Sequence, residues 1–506
     1  MGAMDPAIRE RTAAPEEFQA LHDHVVTCSK CGFCQPVCPI FRATGREAYV
    51  ARGKVALYRN ILEDRLEIGP EVKDAFANCL LCRACADNCF PGIKTDDVVV
   101  SFRHGYAERF GRGFLQRRVF RSLLPRPRLM RGIVRFVWAF RKTGLVEATR
   151  RIGLVGLLNP KLERALELGA GKPGALLTSR LAKRRTAGDS RPATVVEATA
   201  AGWTTAGDGR PTVGYWMSCG YNYVLPEVGE STVRVLERMG YAVEVLDNCC
   251  CGLAAHGYGD LEGAALLARE NLRRLGDVSR FEAIVSECGS CSGHLKEYAH
   301  VLAGDPEWSA GAEALQNKVR SFSEFVVEKG GLEGLLAAGA ATAGPVATAT
   351  LDRAEAVGVA APGEPGDPST AQAVVTYHDP CHLGRRYQNV VSQPRQILQS
   401  LPGVDFREMD ESDSCCGAAG TYGVLHPETS AAIIDRKTGF ARATGASVVA
   451  TECPSCMMQL RYGAQRAGLP VSVVNISQLC DRASAPASAP APPPDSTSSP
   501  AADRVN

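Results

Sequence analysis

Residues 28–39 read CSKCGFCQPVCP, and residues 79–91 read CLLCRACADNCFP. In each stretch three cysteines are two residues apart, and a fourth follows after three more residues. Three thiolates in so tight a loop can reach three irons of one cubane [4Fe–4S] cluster, while the fourth cysteine leaves toward a second cluster. The spacing therefore predicts two cubane clusters, one held by Cys28, Cys31, Cys34 and Cys89 and the other by Cys79, Cys82, Cys85 and Cys38.

These two runs have the spacing of bacterial ferredoxin motifs. Zinc also binds CxxC pairs, but a four-ligand zinc site does not explain the additional cysteine in each run. The second run departs from the pattern because Phe90 separates Cys89 from Pro91. The 41 positions from Cys38 to Cys79 have a helical pattern, which predicts a helical ferredoxin domain over 20–101.

The chain has 506 residues, 20 cysteines and a formal net charge of +2. A charge so close to zero gives no reason to expect nucleic acid as a partner. No export signal is recognisable, so metal sites are favoured over disulfides. No apolar run approaches the ~18 residues of a spanning helix. We therefore expect a cytoplasmic protein whose membrane contact, if any, is peripheral and on the inner face.

A second cysteine pattern occurs twice in the rest of the chain. In both copies a lone cysteine, a Cys-Cys-Gly and a CxxC follow one another, and each comes after a strand-like segment; in the first copy these segments are 212–217, 242–246 and 283–286. The CxxC begins 37 positions after the second cysteine of the pair in both copies. The first copy comprises Cys219, Cys250, Cys251, Cys288 and Cys291; the second comprises Cys381, Cys415, Cys416, Cys453 and Cys456. An ordered set of five cysteines that recurs in this way indicates a duplicated domain.

This repeat resembles the cysteine-rich CCG domain family, as does the segment YHDPCHLGR at 377–385. The family includes heterodisulfide reductase subunits, the glycolate oxidase iron–sulfur subunit, the lactate-utilisation iron–sulfur protein and a cysteine-rich subunit of anaerobic glycerol-3-phosphate dehydrogenase. The resemblance implies an α+β multi-domain chain, in which two tandem Rossmann-like α/β CCG domains follow the ferredoxin domain. It also implies one or two further, non-cubane [4Fe–4S] clusters at the five-cysteine sets, with zinc or an empty dithiol at one of them as the alternative.

Two histidines flank Cys381, namely His378 and His382. A histidine beside a cluster can tune its potential or carry protons, so both are candidates for an outer-sphere role. Cys249 makes the first pair a run of three, and a buried bystander is favoured over a spare ligand for it; Cys480 is expected to be structural.

The domain boundaries follow from composition and pattern. We expect a ferredoxin domain at 20–101, a basic helical linker at 102–185, CCG domains at 211–330 and 373–480, a flexible insertion at 331–372 and a disordered tail at 481–506. The linker has 21 Lys or Arg against 4 Glu and no Asp. The tail is rich in proline and has no apolar periodicity.

No flavin or nicotinamide fingerprint and no Walker sequence is present. The resemblance therefore favours an iron–sulfur electron-transfer subunit of a flavin-dependent glycolate- or lactate-type dehydrogenase, with the flavin in a partner subunit and a quinone or another acceptor receiving the electrons. A disulfide reductase that uses a CCG cluster for catalysis is the alternative from another class. A glycerol-3-phosphate dehydrogenase or an electron-transferring-flavoprotein relay is the third interpretation.

Residues 114–142 form the most basic part of the linker. Arg128, Arg131, Arg135 and Lys142 fall near one stripe of a helix, and apolar residues cover much of the rest. A helix of this kind predicts contact with a membrane surface or a partner. The alternative is a helix that packs into the core between the ferredoxin domain and the CCG domains.

Overall fold

The computed structural model describes residues 16–144, 160–168, 175–186, 209–331 and 373–485, together with a few positions at 146–157 and 333–334. The predicted insertion at 331–372 and the tail beyond 485 lie almost entirely outside the described residues. Among the described helices, none combines the length and the apolar character that a membrane-crossing segment needs.

The N-terminal part of the chain is helical, as predicted. Its α-helices are α1 Glu16–Gln19, α2 His22–Val26, α3 Pro39–Thr44, α4 Ala51–Leu62, α5 Pro70–Ala77, α6 Ala84–Asp87 and α7 Thr95–Phe110. Their core is aromatic: Phe18, Tyr58, Phe76 and Phe102 are buried, and the rings of Phe76 and Phe102 stack at 3.8 Å. Helix α7 crosses the expected boundary at 101/102, so the ferredoxin domain and the basic segment share a helix.

The basic segment contains several separate helices. Its elements are α8 Phe114–Arg118, a π-helical turn Val119–Leu123, α9 Pro127–Lys142, α10 Pro160–Leu168 and α11 Leu177–Thr186. Pro125 and Pro127 end the π-helical turn and fix the start of α9, because proline lacks the amide that a helix interior requires.

The first CCG repeat is an α/β unit. Its elements are β1 Thr212–Tyr215, α12 Cys219–Tyr223, α13 Pro226–Arg238, β2 Ala242–Val245, α14 Leu253–Gly257, α15 Leu261–Leu275, β3 Ala283–Ser286, α16 Gly289–Leu295, α17 Tyr298–Val301, α18 Ser309–Lys318, β4 Val319–Ser321 and α19 Phe322–Glu328. The strands are parallel in the order β2-β1-β3-β4. The three strands expected before the cysteines are confirmed, whereas β4 carries no cysteine and was not predicted.

The second CCG repeat has the same topology. Its elements are β5 Ala373–Tyr377, α20 Ser392–Ser400, β6 Val404–Phe406, α21 Tyr422–Leu425, α22 Pro427–Ala443, β7 Val448–Thr451, α23 Pro454–Arg466, β8 Ser472–Asn475 and α24 Ile476–Ala483. The parallel strand order is β6-β5-β7-β8, the counterpart of the first sheet.

The two repeats share one apolar core. Val213 and Tyr215 of β1 lie in the same buried cluster as Val375 and Tyr377 of β5. Helix α13 packs on α24, and α19 packs on α20, so each repeat presents the corresponding helices to the other.

The last helix corrects the expected start of the tail at 481. Asp481 and Arg482 continue α24 to Ala483. The Asp481 carboxylate binds Arg234 and accepts a hydrogen bond of 2.8 Å from Arg238, both on α13. These ion pairs hold the end of α24 against the first repeat, and proline-rich composition begins only beyond them.

Candidate metal centres

Two adjacent cavities in the ferredoxin domain are lined by the predicted cysteines. Cys38, Cys79, Cys82 and Cys85 line one cavity, and Cys28, Cys31, Cys34 and Cys89 line the other. Cys85 and Thr95 border both cavities. The structure thus brings together the two four-cysteine sets that the spacing predicts, including the exchange of the fourth cysteine between the motifs.

Backbone conformation explains how the motif loops present several thiols to one cavity. Lys30 and Gly32 lie between the first cysteines with φ of 57° and 90°, and Leu81 and Arg83 of the second motif have φ of 52° and 57°. These left-handed residues turn the chain sharply after each cysteine.

A buried cation borders the cavity of the second motif. Lys54 is 1% exposed and its ammonium donates to the Tyr49 carbonyl. Burial lowers the pKa of Lys54, while the neighbouring Cys79, Cys38 and Cys85 act in the opposite direction when they are thiolates. A positive charge at this position compensates negative charge on the cysteines and on any cluster they hold.

In the CCG repeats the cysteines follow the carboxyl ends of the strands, where parallel sheets present their ligand sites. Cys219, Cys250 and Cys288 follow β1, β2 and β3, and Cys381, Cys415 and Cys453 follow β5, β6 and β7. Each five-cysteine set therefore lies at the carboxyl ends of the strands of its own parallel sheet.

Gly252 and Gly417 follow the cysteine pairs, at positions where the backbone conformation favours glycine. Their φ angles are 100° and 85°. A Cβ atom on Gly252 would lie 3.3 Å from the His294 ring, and one on Gly417 would lie 3.1 Å from Ile433. The third letter of the CCG motif thus combines a left-handed turn with close packing.

The cysteines of each repeat contact one another. In the first repeat neighbouring thiols are Cys219 and Cys250, Cys250 and Cys251, Cys251 and Cys291, and Cys291 and Cys288. In the second they are Cys381 and Cys415, Cys415 and Cys416, Cys416 and Cys456 at 3.6 Å, and Cys456 and Cys453.

The two sets also contact each other. The thiol of Cys288 lies beside that of Cys453, and this contact lowers the pKa of Cys453. Beside it, the Gly289 amide donates to the Glu452 carbonyl at 2.8 Å, and the Ser290 hydroxyl lies 3.5 Å from the Cys453 sulfur. All ten cysteines therefore form one continuous series of thiols that spans both repeats.

The two remaining CCG-region cysteines lie outside this series. The Cys249 thiol donates to the carbonyls of Cys250 and Leu267, and burial raises its pKa to about 12. Cys480 lies on α24 and is fully buried in the apolar core that the two repeats share. Both positions match the structural roles expected for them.

The two candidate histidines differ in their surroundings. The His382 Nδ1 atom lies 3.5 Å from the Cys381 sulfur, and its ring packs against Tyr387. His378 is fully buried, and its donor atoms lie within 4.8 Å of those of Cys416 and Cys456. Burial lowers the pKa of His378 to about 3, so its imidazole is neutral.

Two buried carboxyl groups lie beside the cysteines and were not predicted from the sequence. Glu287 and Glu452 directly precede the two CxxC pairs, and they accept hydrogen bonds from Tyr215 at 2.7 Å and Tyr377 at 3.3 Å. Burial raises their pKa to about 8 and about 7. Alignment of the repeats would have revealed them, because a Tyr lies four residues before each lone cysteine and a Glu one residue before each CxxC.

The ferredoxin domain docks on both repeats near these cysteines. Cys82 lies in the same buried cluster as Cys415. The Tyr387 hydroxyl donates to the Leu81 carbonyl at 2.8 Å, and Arg83 pairs with Glu297 at 3.0 Å. The second motif therefore lies beside the second CCG repeat.

Comparisons with known proteins agree with this architecture. A family model described as a 4Fe-4S dicluster domain matches residues 24–93, and one described as a cysteine-rich domain matches 213–296 and 375–461. A third, described as the linker region of the glycolate oxidase iron-sulfur subunit, matches 111–168.

Individual relatives are similar over long stretches. A probable glycolate oxidase iron-sulfur subunit of Bacillus subtilis is 28% identical over 482 residues, which cover 93% of this chain and 97% of the relative. Lactate utilization protein A of Oceanobacillus iheyensis is 30% identical over 268 residues, which cover 53% of this chain and 95% of the relative. A protein of the same name from Geobacillus kaustophilus is 27% identical over 269 residues, covering 53% of this chain and 97% of the relative. The chain belongs to the CCG-domain iron–sulfur family that includes these proteins.

Proposed function

We propose that this chain is the iron–sulfur subunit of a flavin-dependent 2-hydroxyacid dehydrogenase complex of the glycolate or lactate type. It would take electrons from a flavoprotein partner and deliver them to a quinone or another acceptor. The observation that carries the proposal is that a ferredoxin domain, a glycolate-oxidase-type linker and two five-cysteine sets occur in one chain in this order. The hydroxyacid is proposed as the substrate class of the complex because the relatives are named for glycolate oxidation and lactate utilization.

The cysteines fit the clusters that the family implies. In the ferredoxin domain Cys28, Cys31, Cys34 and Cys89 would hold one cubane, and Cys79, Cys82, Cys85 and Cys38 the other; the two cavities support this division. The five-cysteine sets would each hold a further cluster in their Rossmann-like domains. Such clusters supply one-electron transfer when bound.

The protein's own contribution is to bury the sulfur ligands and place the sites side by side. Most of the CCG cysteines are buried, as is Cys82. Cys85 lies at the border of the two ferredoxin cavities, and Cys82 packs close to Cys415. Water exclusion and charges such as that of Lys54 set cluster potentials in such sites.

The partner assignment has a direct test. The complex is purified anaerobically from its native host, and glycolate or lactate is added without other reductants. We expect a flavin-containing subunit to co-purify and the iron–sulfur absorption to bleach, whereas the isolated chain should not respond to the hydroxyacid. Reduction of a disulfide by the isolated chain with a one-electron donor would instead support the disulfide reductase class.

A surface for the membrane is proposed on α9. Leu129, Ile133, Phe136, Val137 and Phe140 are between 41% and 74% exposed. Pro127 is the one residue of α9 that is buried among those the structure describes, which supports an exposed helix over a core-packing one. The sequence from 112 to 142 contains ten Arg or Lys and no acidic residue. An apolar stripe flanked by cations suits an interface of anionic lipid.

Flotation with liposomes tests this surface. Arg131 and Arg135 contact Asp247 and Ser179 within the chain, so the exposed Arg128 and Lys142 are the better targets. We expect binding that requires anionic lipid, weakens with salt and is lost in Arg128→Glu/Lys142→Glu and in Phe136→Ser. The control Arg407→Glu, on the second CCG repeat, should float like wild type. Equal flotation of all variants, or of none, would exclude the membrane contact.

A further inference from the structure

The two CCG repeats are not equivalent at one position next to their cysteines. Trp216 and His378 both lie three residues before the lone cysteine of their repeat. Their amides make the same ladder bond, from Trp216 to the Val285 carbonyl and from His378 to the Ala450 carbonyl, each at 2.9 Å. The duplicated backbone therefore places an indole in the first site where the second has an imidazole.

The imidazole of His378 lacks a hydrogen-bond partner among the described residues. Its side chain is fully buried, and neither ring nitrogen is bonded. The adjacent carboxylate of Asp379 is not available, because Arg395 binds it at 2.8 Å. Buried polar groups are rarely left unpaired, and no protein atom among the described residues supplies a partner for either ring nitrogen.

Two cysteines of the second set lie within reach of that imidazole. The donor atoms of His378, Cys416 and Cys456 are all within 4.8 Å of one another, and the two sulfurs are 3.6 Å apart. Two thiolates and a neutral imidazole are a donor set that iron accepts. Trp216 in the first repeat has no lone pair to offer a metal.

We propose that His378 is a metal ligand of the second CCG site, bound to an iron that Cys416 and Cys456 also reach. This inference rests on the proposed function, in which the second site holds an iron–sulfur cluster. His378 would replace no thiolate, because both CCG sites have five cysteines. The second site would instead differ from the first by one additional neutral ligand, and His378 would define this asymmetry. A thiolate in place of the imidazole would add a negative charge and lower the reduction potential of the cluster.

Three variants separate a ligand from a packing residue. His378→Phe retains an aromatic ring at a position where the first repeat accommodates Trp216, so the fold should tolerate it. His378→Cys offers a thiolate in place of the imidazole. His382→Gln is the matched control, because His382 contacts Cys381 but lies outside the group of His378, Cys416 and Cys456.

The experiment uses the full chain labelled with ¹⁵N-histidine and purified anaerobically. Pulsed EPR should show a directly coordinated histidine nitrogen in wild type and His382→Gln and none in His378→Phe. A redox titration followed by absorbance should show that His378→Cys shifts one component to a more negative potential, namely the component that Cys416→Ser removes. The other components should not move.

The possible results separate the inference from the proposed function. A cluster in the second site without nitrogen coupling, or with coupling that persists in His378→Phe, overturns the histidine ligand alone. If the second site gives no EPR signal, an unchanged potential in His378→Cys overturns it equally. If Cys416→Ser loses no iron, or the site contains zinc, the cluster assignment of the second site fails instead.

Discussion

The thiols of Cys288 and Cys453 meet across the boundary between the two CCG repeats. Each belongs to the CxxC of its own repeat, and each follows the third strand-like segment of that repeat. The meeting arises because the repeats pack corresponding helices against each other around one shared core. The two five-cysteine sets are therefore neighbours, although Cys288 and Cys453 are 165 positions apart in the sequence.

Cysteine replacements in the CCG repeats should therefore have unequal effects. We expect Cys250→Ser and Cys416→Ser each to alter the EPR spectrum and lower turnover in the complex at least tenfold, because each removes a predicted cluster ligand. Cys480→Ser is the control, since that thiol is buried in the apolar core away from the series. Equal effects of all three replacements would contradict the ligand assignment.

Arg83 should be a determinant of domain docking. It is in the second ferredoxin motif, pairs with Asp96 and Glu297, and lies 3.6 Å over the ring of Tyr387. Removing one partner of a largely buried ion pair costs about 3 kcal/mol. We expect Arg83→Met to lower the free energy of unfolding by about that amount and to increase hydrogen exchange at the junction.

Arg385→Met provides the matched control for Arg83. Arg385 also joins the ferredoxin domain to the second repeat, through Asp87 at 2.8 Å, but its side chain is 62% exposed. Such surface pairs contribute about 0–1 kcal/mol. If the two variants unfold alike in urea, Arg83 has no special role in docking.

Asp260 should hold the basic segment on the first CCG repeat. Its carboxylate is fully buried, accepts a 2.7 Å bond from Arg121 and caps α15 through the Gly263 amide. Burial alone would raise its pKa, but the bond from Arg121 lowers it below the ordinary value near 3.8. We expect Asp260→Asn to lower the free energy of unfolding by about 3 kcal/mol and to expose residues 112–126 to proteases.

The pH dependence of that effect has a definite sign. A carboxyl group whose pKa is depressed in the folded state stabilises the fold at pH values above the pKa it has in the unfolded chain. This stabilisation is lost as the pH falls through the folded-state pKa. The difference in the free energy of unfolding between wild type and Asp260→Asn should therefore be constant from about pH 8 to about pH 5. It should shrink only below about pH 4. Glu262→Gln, which alters a 70% exposed partner of Arg121, should show neither effect.

Most of the local structure could be predicted from the sequence. The cysteine spacing predicted which thiols the two ferredoxin cavities bring together, and the apolar segments before the cysteines predicted β1, β2 and β3. Both signals are local. β4 and β8 were not predicted because neither leads into a cysteine of its repeat's five-cysteine set.

The relationships between distant segments could not be predicted. The contact between Cys288 and Cys453 depends on how two sheets share a core, which no local pattern encodes. The boundary at 481 was wrong for a similar reason, because Asp481 is ordered by Arg234 and Arg238 more than 240 positions earlier. The buried Glu287 and Glu452 have repeat signals, but their environment depends on tertiary packing.

The content of iron, acid-labile sulfide and zinc in the anaerobically purified chain shows directly whether it holds iron–sulfur clusters. We expect about eight irons with matching sulfide from the ferredoxin domain, and up to about eight more from the CCG repeats. Cys28→Ser and Cys82→Ser should each lose about four irons, whereas Cys480→Ser should lose none. Stoichiometric zinc without iron or sulfide would mean that this chain does not carry electrons on iron–sulfur clusters.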